Sequence, residues 1–190
     1  MNDKVNSVLA RTPHQILGPF YPITVEPETS GDLTRHGGGV AEGTVLYLSG
    51  RVTTVAGDPV AGAKVEIWQA NSKGRYDHPA DENTAPLDPH FIGYGVLRTD
   101  ADGRYALKTV RPVAYPVAPG VIRPAHVHFM VTSRTERLVT QMYFAGDAYN
   151  DGDPFLGSAR RREALIVSPE AVPGEAGAER ATFDIVIGAA

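Results

Sequence analysis

From residue 44 onward the chain breaks into short apolar runs separated by turn formers. The runs TVLYLSGRVTTV (44–55), AKVEIWQA (63–70), AHVHFMVT (125–132), RLVTQMYF (137–144) and RATFDIVIG (180–188) are rich in β-branched and aromatic residues and flanked by Gly, Pro or Asp. These runs predict strands. TDADGRYALKTV (99–110) reads as a tight Asp-Gly turn leading into another strand. Helix is confined to SARRREALI (158–166) and one short turn near the start of the chain. Three polar or Pro-rich connections, 71–91, 111–124 and 145–157, interrupt the strands, and ordered connections of such length often carry function. The pattern predicts an all-β fold, a sandwich or barrel with long loops and little helix. One domain spans 1–190, with 1–43 as an N-terminal arm and pocket loop and 44–190 as the β-sandwich core.

Composition narrows the chemistry. A chain of 190 residues can bury a full core, and its 20 Gly and 15 Pro fit a strand-and-turn architecture. The net charge of −4 gives no reason to expect nucleic acid as a partner. There is no cysteine, which excludes disulfides, thiolate-held zinc and ordinary iron–sulfur clusters. A metal would have to be held by His, Asp, Glu or Tyr. The start, MNDKVNSVLARTPHQ, has no apolar signal-peptide core, and no later run is long enough to span a bilayer. The expectation is a cytoplasmic protein with no membrane partner.

RPAHVHF (123–129) carries the first candidate chemistry. In a strand, His126 and His128 point to one face, so two imidazoles leave the sheet together close to Arg123. A single strand histidine is usually structural. Two on one face are satisfied at once by a bound metal, and imidazole suits iron, copper, zinc and nickel. The acidic clusters NDGD and PLDP read as solvated loops, which leaves tyrosine as the unusual candidate. Tyr76 and Tyr115 lie in the long connections, and two phenolates with two imidazoles would suit Fe(III). By themselves, both tyrosines also fit as ordinary half-buried aromatics. Trp68 and the VEIW run read as core packing, and His14, His36, His78 and His90 as surface or loop residues.

Longer motifs go further. VEIWQANSKGRYDH, APLDPHFIGYGVLRTDADGRY, YPVAPGVIRPAHVHF and LVTQMYFAGD, in that order, resemble the intradiol ring-cleavage dioxygenases, most closely the protocatechuate 3,4-dioxygenase β subunit type. The similarity runs from about Gly50 to Asp147, and ILGPFYP near the start resembles the family's substrate-pocket loop. The resemblance implies a prealbumin-like β-sandwich and a non-haem Fe(III) held by Tyr76, Tyr115, His126 and His128. It makes Tyr115 the ligand that leaves the metal and takes a substrate proton, and Arg123 the group that stabilises charge on the bound catecholate. Gln141 would keep Arg123 in place. Substrate contacts fall on Gly18, Pro19, Phe20 and Tyr21. The implied reaction uses O2 to open a small aromatic diol between its hydroxylated carbons, giving a cis,cis-muconate-type diacid, with a protocatechuate-like substrate favoured over hydroxyquinol or a substituted catechol.

Two positions depart from the protocatechuate type. Ser49 stands where a tyrosine is usual and Val117 where a tryptophan is usual, and both are expected to line the pocket. With the GPFY element and all four ligands in one chain, the expectation is a self-sufficient homo-oligomer. Two other readings compete. One is a non-catalytic prealbumin-like binding module or partner subunit, which should lack some of the ligands. The other is a cupin, suggested by Gly120 followed by His126-x-His128, for which Glu136 comes too late.

Overall fold

The computed structural model describes residues 8–24 and 28–188. A small ladder of β1 (Arg35–His36) and β2 (Gly39–Val40) precedes the main strands. These are β3 (Val45–Thr54), β4 (Lys64–Trp68), β5 (Tyr94–Arg98), β6 (Arg104–Val110), β7 (Tyr115–Ala118), β8 (Val121–Arg123), β9 (His126–Thr132) and β10 (Arg137–Phe144). After a four-residue helix α1 (Pro154–Gly157) come the short strands β11 (Ile166–Val167), β12 (Glu170–Ala171), β13 (Glu179–Thr182) and β14 (Ile185–Ile187). One sheet has the order β11-β10-β9-β4-β5. In the other, β3 pairs with β6 on one side and with β13 and β14, in parallel, on the other. The Asp100–Gly103 turn carries the chain from the first sheet into the second, with the Asp100 carboxylate accepting from the amides of Asp102 and Arg104.

The expected all-β sandwich follows from period-two burial. On β3, Leu46, Leu48 and Val52 are buried and Ser49 is exposed. On β9, Val127, Phe129 and Val131 enter the core between the sheets, where they meet Val65 and Ile67 of β4 and Leu138 and Met142 of β10. Phe129 binds the two layers, with ring centroids 6.1 Å from Tyr105 and 5.1 Å from Phe183. Alternate residues of β9 are buried too, on the outer face of the same sheet, under the loops and the arm. A second aromatic cluster forms there, built on Trp68, Tyr76, Tyr115 and Met130 and flanked by Phe20 and Tyr21. This outer face is where the site lies.

Two expectations need correcting. The segment SARRREALI does not form an α-helix: only Arg162–Leu165 coils, as a 3-10 turn, behind Arg161 in the left-handed region at φ 61°. The α-helical turn sits earlier, at Pro154–Gly157, because Pro154 fits the first helical position and the Asp153 carboxylate accepts from Leu156 N. The connection 111–124 is a two-stranded ribbon rather than a plain loop, with Tyr115 directly opposite Arg123. The helical turn expected near the start falls partly on residues 1–7, outside the described residues, and 8–17 have no helix.

Truncating the side chain that joins the layers tests this packing. Phe129→Ala should cost about 3–5 kcal/mol of unfolding free energy, read from urea denaturation of the metal-free protein.

Candidate metal centre

Each candidate ligand is delivered by a different local device. His126 and His128 share the outer face of β9, opposite Tyr143 and Gln141 of β10. Tyr115 opens the β7–β8 ribbon. Tyr76 follows a tight turn in which the Asn71 side chain accepts from the amides of Lys73 and Arg75, and its own amide donates to Asp81 Oδ2 at 2.7 Å. Gly74 closes that turn at φ +81°, and a Cβ there would stand 2.8 Å from Cβ of Tyr115. The two tyrosine-bearing segments therefore press together where only glycine fits.

The polar ends of these side chains converge. Tyr76 Oη lies 3.4 Å from His126 Nε2, and Tyr115 Oη lies 3.5 Å from both Tyr76 Oη and His126 Nε2. His128 Nε2 is 3.1 Å from His126 Nε2. Donors held about 2.0–2.1 Å from a common centre stand about 2.9–3.6 Å apart when they subtend angles of about 90–120°. The observed separations meet that condition, so the four side chains fit a shared cation. Among the described residues no cluster of three His, Asp or Glu offers a rival centre.

Electrostatics favours the same conclusion. His126 Nδ1 is 2.7 Å from the Pro124 carbonyl, which can only accept, so Nδ1 carries the hydrogen and Nε2 keeps its lone pair for the centre. Burial, then the charge of Arg123, lowers the His126 pKa to about 3. The same burial, with His126 and Arg123 beside it, takes His128 well below its ordinary value. Both imidazoles are thus neutral donors at neutral pH. Burial raises the Tyr76 phenol well above its usual value, reinforced by Tyr115, and burial likewise raises Tyr115. A cation at the point where these phenols meet would favour their ionisation, and a hard oxygen pair beside two imidazoles suits a transition-metal ion.

Arg123 borders the centre with its Nη1 3.5 Å from His126 Nε2. Its other donors are committed: Nε to Asp153 at 2.7 Å, and Nη2 to Gln141 Oε1 at 2.9 Å and Tyr143 Oη at 3.1 Å. The guanidinium also lies over the Phe155 ring, 4.6 Å from its centroid. Asp153 was read as part of a solvated loop, but it is buried and forms an ion pair with Arg123. Its sequence signal was the Asp-Pro pair, which marks a capped helix start. Trp68 also belongs here rather than to the inter-sheet core: it stacks on His128 at 4.8 Å and 11°.

The arm roofs the centre. Gln15 N donates to Val139 O, Gln141 Nε2 to Ile16 O, and Tyr143 Oη to Gln15 Oε1. Gly18, at φ +76°, passes so close to His128 that a Cβ would meet Cε1 at 3.1 Å. Pro19, Phe20 and Val117 line a cavity of about 760 Å3 that also reaches Tyr115 and Arg123. Tyr21 faces the other way, donating to Glu66 Oε1 at 2.7 Å and meeting Trp68 edge-on. Ser49 does not join the site. It sits on β3 in the opposite sheet, paired with Ala106 and Thr182, and it faces solvent because Leu46 and Leu48 take the inward positions.

Two measurements follow from the buried charges. An unfolded histidine takes its proton near 6.5 while His126 resists until about 3, so the unfolded chain binds more protons between these values. Stability of the metal-free protein is therefore lost as pH falls through that window. Urea denaturation should show wild type losing about 2 kcal/mol more than His126→Asn between pH 7 and 5. Asp153→Ala strands the Arg123 charge, and should destabilise by about 3–5 kcal/mol in the same assay at pH 7.

Comparison with known proteins places this geometry. A family described as dioxygenase matches residues 16–189. The protocatechuate 3,4-dioxygenase beta chain of Burkholderia cepacia is 43% identical over 144 residues, covering 72% of this chain and 61% of that protein. The catechol 1,2-dioxygenase of Acinetobacter baylyi is 34% identical over 183 residues, covering 85% and 56%. The chain thus spans about three fifths of the length of such curated relatives. Among solved structures, the dioxygenase domain of a dioxygenase carbohydrate-binding protein fusion from Streptomyces sp. SirexAA-E superposes with TM-score 0.74 at 27% identity, covering 95% of this chain and all of that one. Hydroxyquinol 1,2-dioxygenase from Pseudomonas putida DLL-E4 gives TM-score 0.77 at 27% identity, covering 96% and 68%. The chain belongs to the intradiol ring-cleavage dioxygenase family.

Proposed function

We propose that this chain is a non-haem Fe(III) dioxygenase that opens a catechol-type ring between its two hydroxylated carbons with O2, giving a cis,cis-muconate-type diacid. The observation that carries the reading is the convergence of Tyr76, Tyr115, His126 and His128 beside Arg123, at one end of a largely apolar cavity. Tyr76, Tyr115, His126 and His128 hold the metal. When bound, ferric iron would supply the Lewis acidity that makes an aromatic diol reactive toward O2.

The protein's own part is positional and protonic. Tyr115 sits at the start of the β7–β8 ribbon and lines the cavity, so its oxygen, once ionised at a bound cation, would be the acceptor for a proton leaving the diol. Arg123 holds its one uncommitted nitrogen at the centre, where it stabilises negative charge on the ring oxygens. Asp153, Gln141 and Tyr143 fix that orientation before substrate arrives. Pro19 and Phe20 line the approach, and Gly18 packs against His128. Because this roof belongs to the same chain as the ligands, the proposal includes a self-sufficient enzyme, assembling as a homo-oligomer in the cytoplasm, with no second polypeptide needed for turnover.

Visible absorption of the purified chain, alone and with catechol under nitrogen, tests the reading. A tyrosinate-to-iron band should appear, shift to longer wavelength with catechol, and weaken in Tyr76→Phe, where Tyr115 is the remaining tyrosinate. Arg123→Lys should keep the band and lower kcat by about 10²–10³. A protein that stays colourless after iron reconstitution would sink the proposal.

A further inference from the structure

The cavity in front of Tyr115 and Arg123 has a charge pattern that bears on which diol it takes. Its walls are mostly apolar, with Ile16, Pro19, Phe20, Val117, Ile122 and Phe155 contributing side chains. At about 760 Å3 it is as large as sites that take drug-sized ligands, and it leaves room beyond a single ring. The small side chain of Val117, itself half-exposed, keeps that side open.

Three charged residues line it: Asp81, Glu82 and Arg123. Arg123 is the one cation among the described lining residues, and its one uncommitted nitrogen, Nη1, is held at the metal-centre end of the cavity for the ring oxygens. Three of its contacts go to Asp153, Gln141 and Tyr143, and Nη1 is turned to His126. Asp153 also balances its charge at 2.7 Å. The two remaining charges are carboxylates. Asp81 is held in the wall by the amides of Tyr76 and Asn83, and Glu82 beside it is exposed at the mouth. A ring substituent that reaches past the metal-binding oxygens therefore meets apolar walls and negative charge, with no guanidinium or ammonium free to pair with it. An anionic substituent would lose its hydration without a partner and be repelled as well.

We infer that the ring this site accepts is a catechol carrying an uncharged, apolar substituent, and that a ring carboxylate is selected against. The inference rests on the ring-cleavage reading above, and it sets aside the protocatechuate-like substrate that sequence resemblance favours. Resemblance follows the metal-binding motifs, whereas the choice between substituents is made by Asp81, Glu82, Val117 and their neighbours, which those motifs do not fix. A hydrophobic pocket discriminates weakly between neutral groups, so methyl, chloro and larger apolar substituents should all be accepted.

The test compares 4-methylcatechol with 3,4-dihydroxybenzoate on the iron-loaded chain, by kcat/KM in air and by calorimetric Kd under nitrogen. The methyl compound should lead by about 100-fold or more in kcat/KM and bind more tightly, since an unmatched charge in an apolar site is rejected more strongly than a missing methylene. Glu82→Lys, a change at an exposed position, should narrow the kcat/KM ratio about tenfold by replacing repulsion with attraction. Equal or better use of 3,4-dihydroxybenzoate, or tighter binding of it, would overturn the inference. If both bind in the expected order but neither ring opens, the specificity stands and the ring-cleavage reading fails. Binding of neither overturns both.

Discussion

The structure depends on one strand that is buried on both faces. Odd-numbered residues of β9, from Val127 to Val131, fill the core between the sheets, while His126 and His128 look outward from the same seven residues. Burial on both sides fixes register strongly, because a slip of one residue would put imidazoles into the hydrocarbon core and valines into the metal centre. Core packing therefore does the positional work for the two imidazoles. The two imidazoles are as rigid as the sandwich, and His126 is fixed further by its bond to Pro124.

Around that strand, charge is arranged so that little of it remains mobile. Arg123, the one cation at the centre among the described residues, is buried and would be costly if it stood alone. Asp153 neutralises it, Gln141 and Tyr143 take a further nitrogen, and Phe155 lies under its plane. Two neutral imidazoles and two protonated phenols complete a metal-free centre with no net charge of its own. Burial favours this uncharged form of the four groups, since an isolated charge there would be costly.

The longer strands β3, β4, β9 and β10 were legible as apolar runs with sharp ends, whereas β5 was not read and RATFDIVIG, read as one strand, is divided between β13 and β14. RLVTQMYF is β10 to the residue, and AHVHFMVT differs from β9 only at its first position. The pair His126 and His128 was visible for the same reason, as a breach of apolar character at a spacing of two. The tyrosines were not legible by spacing, since 39 residues separate them and only the folded loops bring them together. Asp153 was misread because its partner Arg123 is 30 residues away, and nothing local distinguishes a paired acid from a solvated one. Trp68 satisfied the period of a core residue but lies on the other face of β4, a choice made by tertiary packing against His128. Ser49 shows the opposite error: the motif placed it in the pocket, while the alternation of β3 turns it to solvent.

The roof of the site has a consequence for the order of events during synthesis. Ile16 is held by Gln141 and Gln15 by Tyr143, across 125 and 128 residues of chain. The arm leaves the ribosome first, yet the strand that receives it is made late, so the arm must wait undocked until β10 exists. The ligand-bearing strand β9 is also made before its cover can close. A nascent chain thus passes through an interval with its imidazoles on an open sheet face, before the arm can cover them.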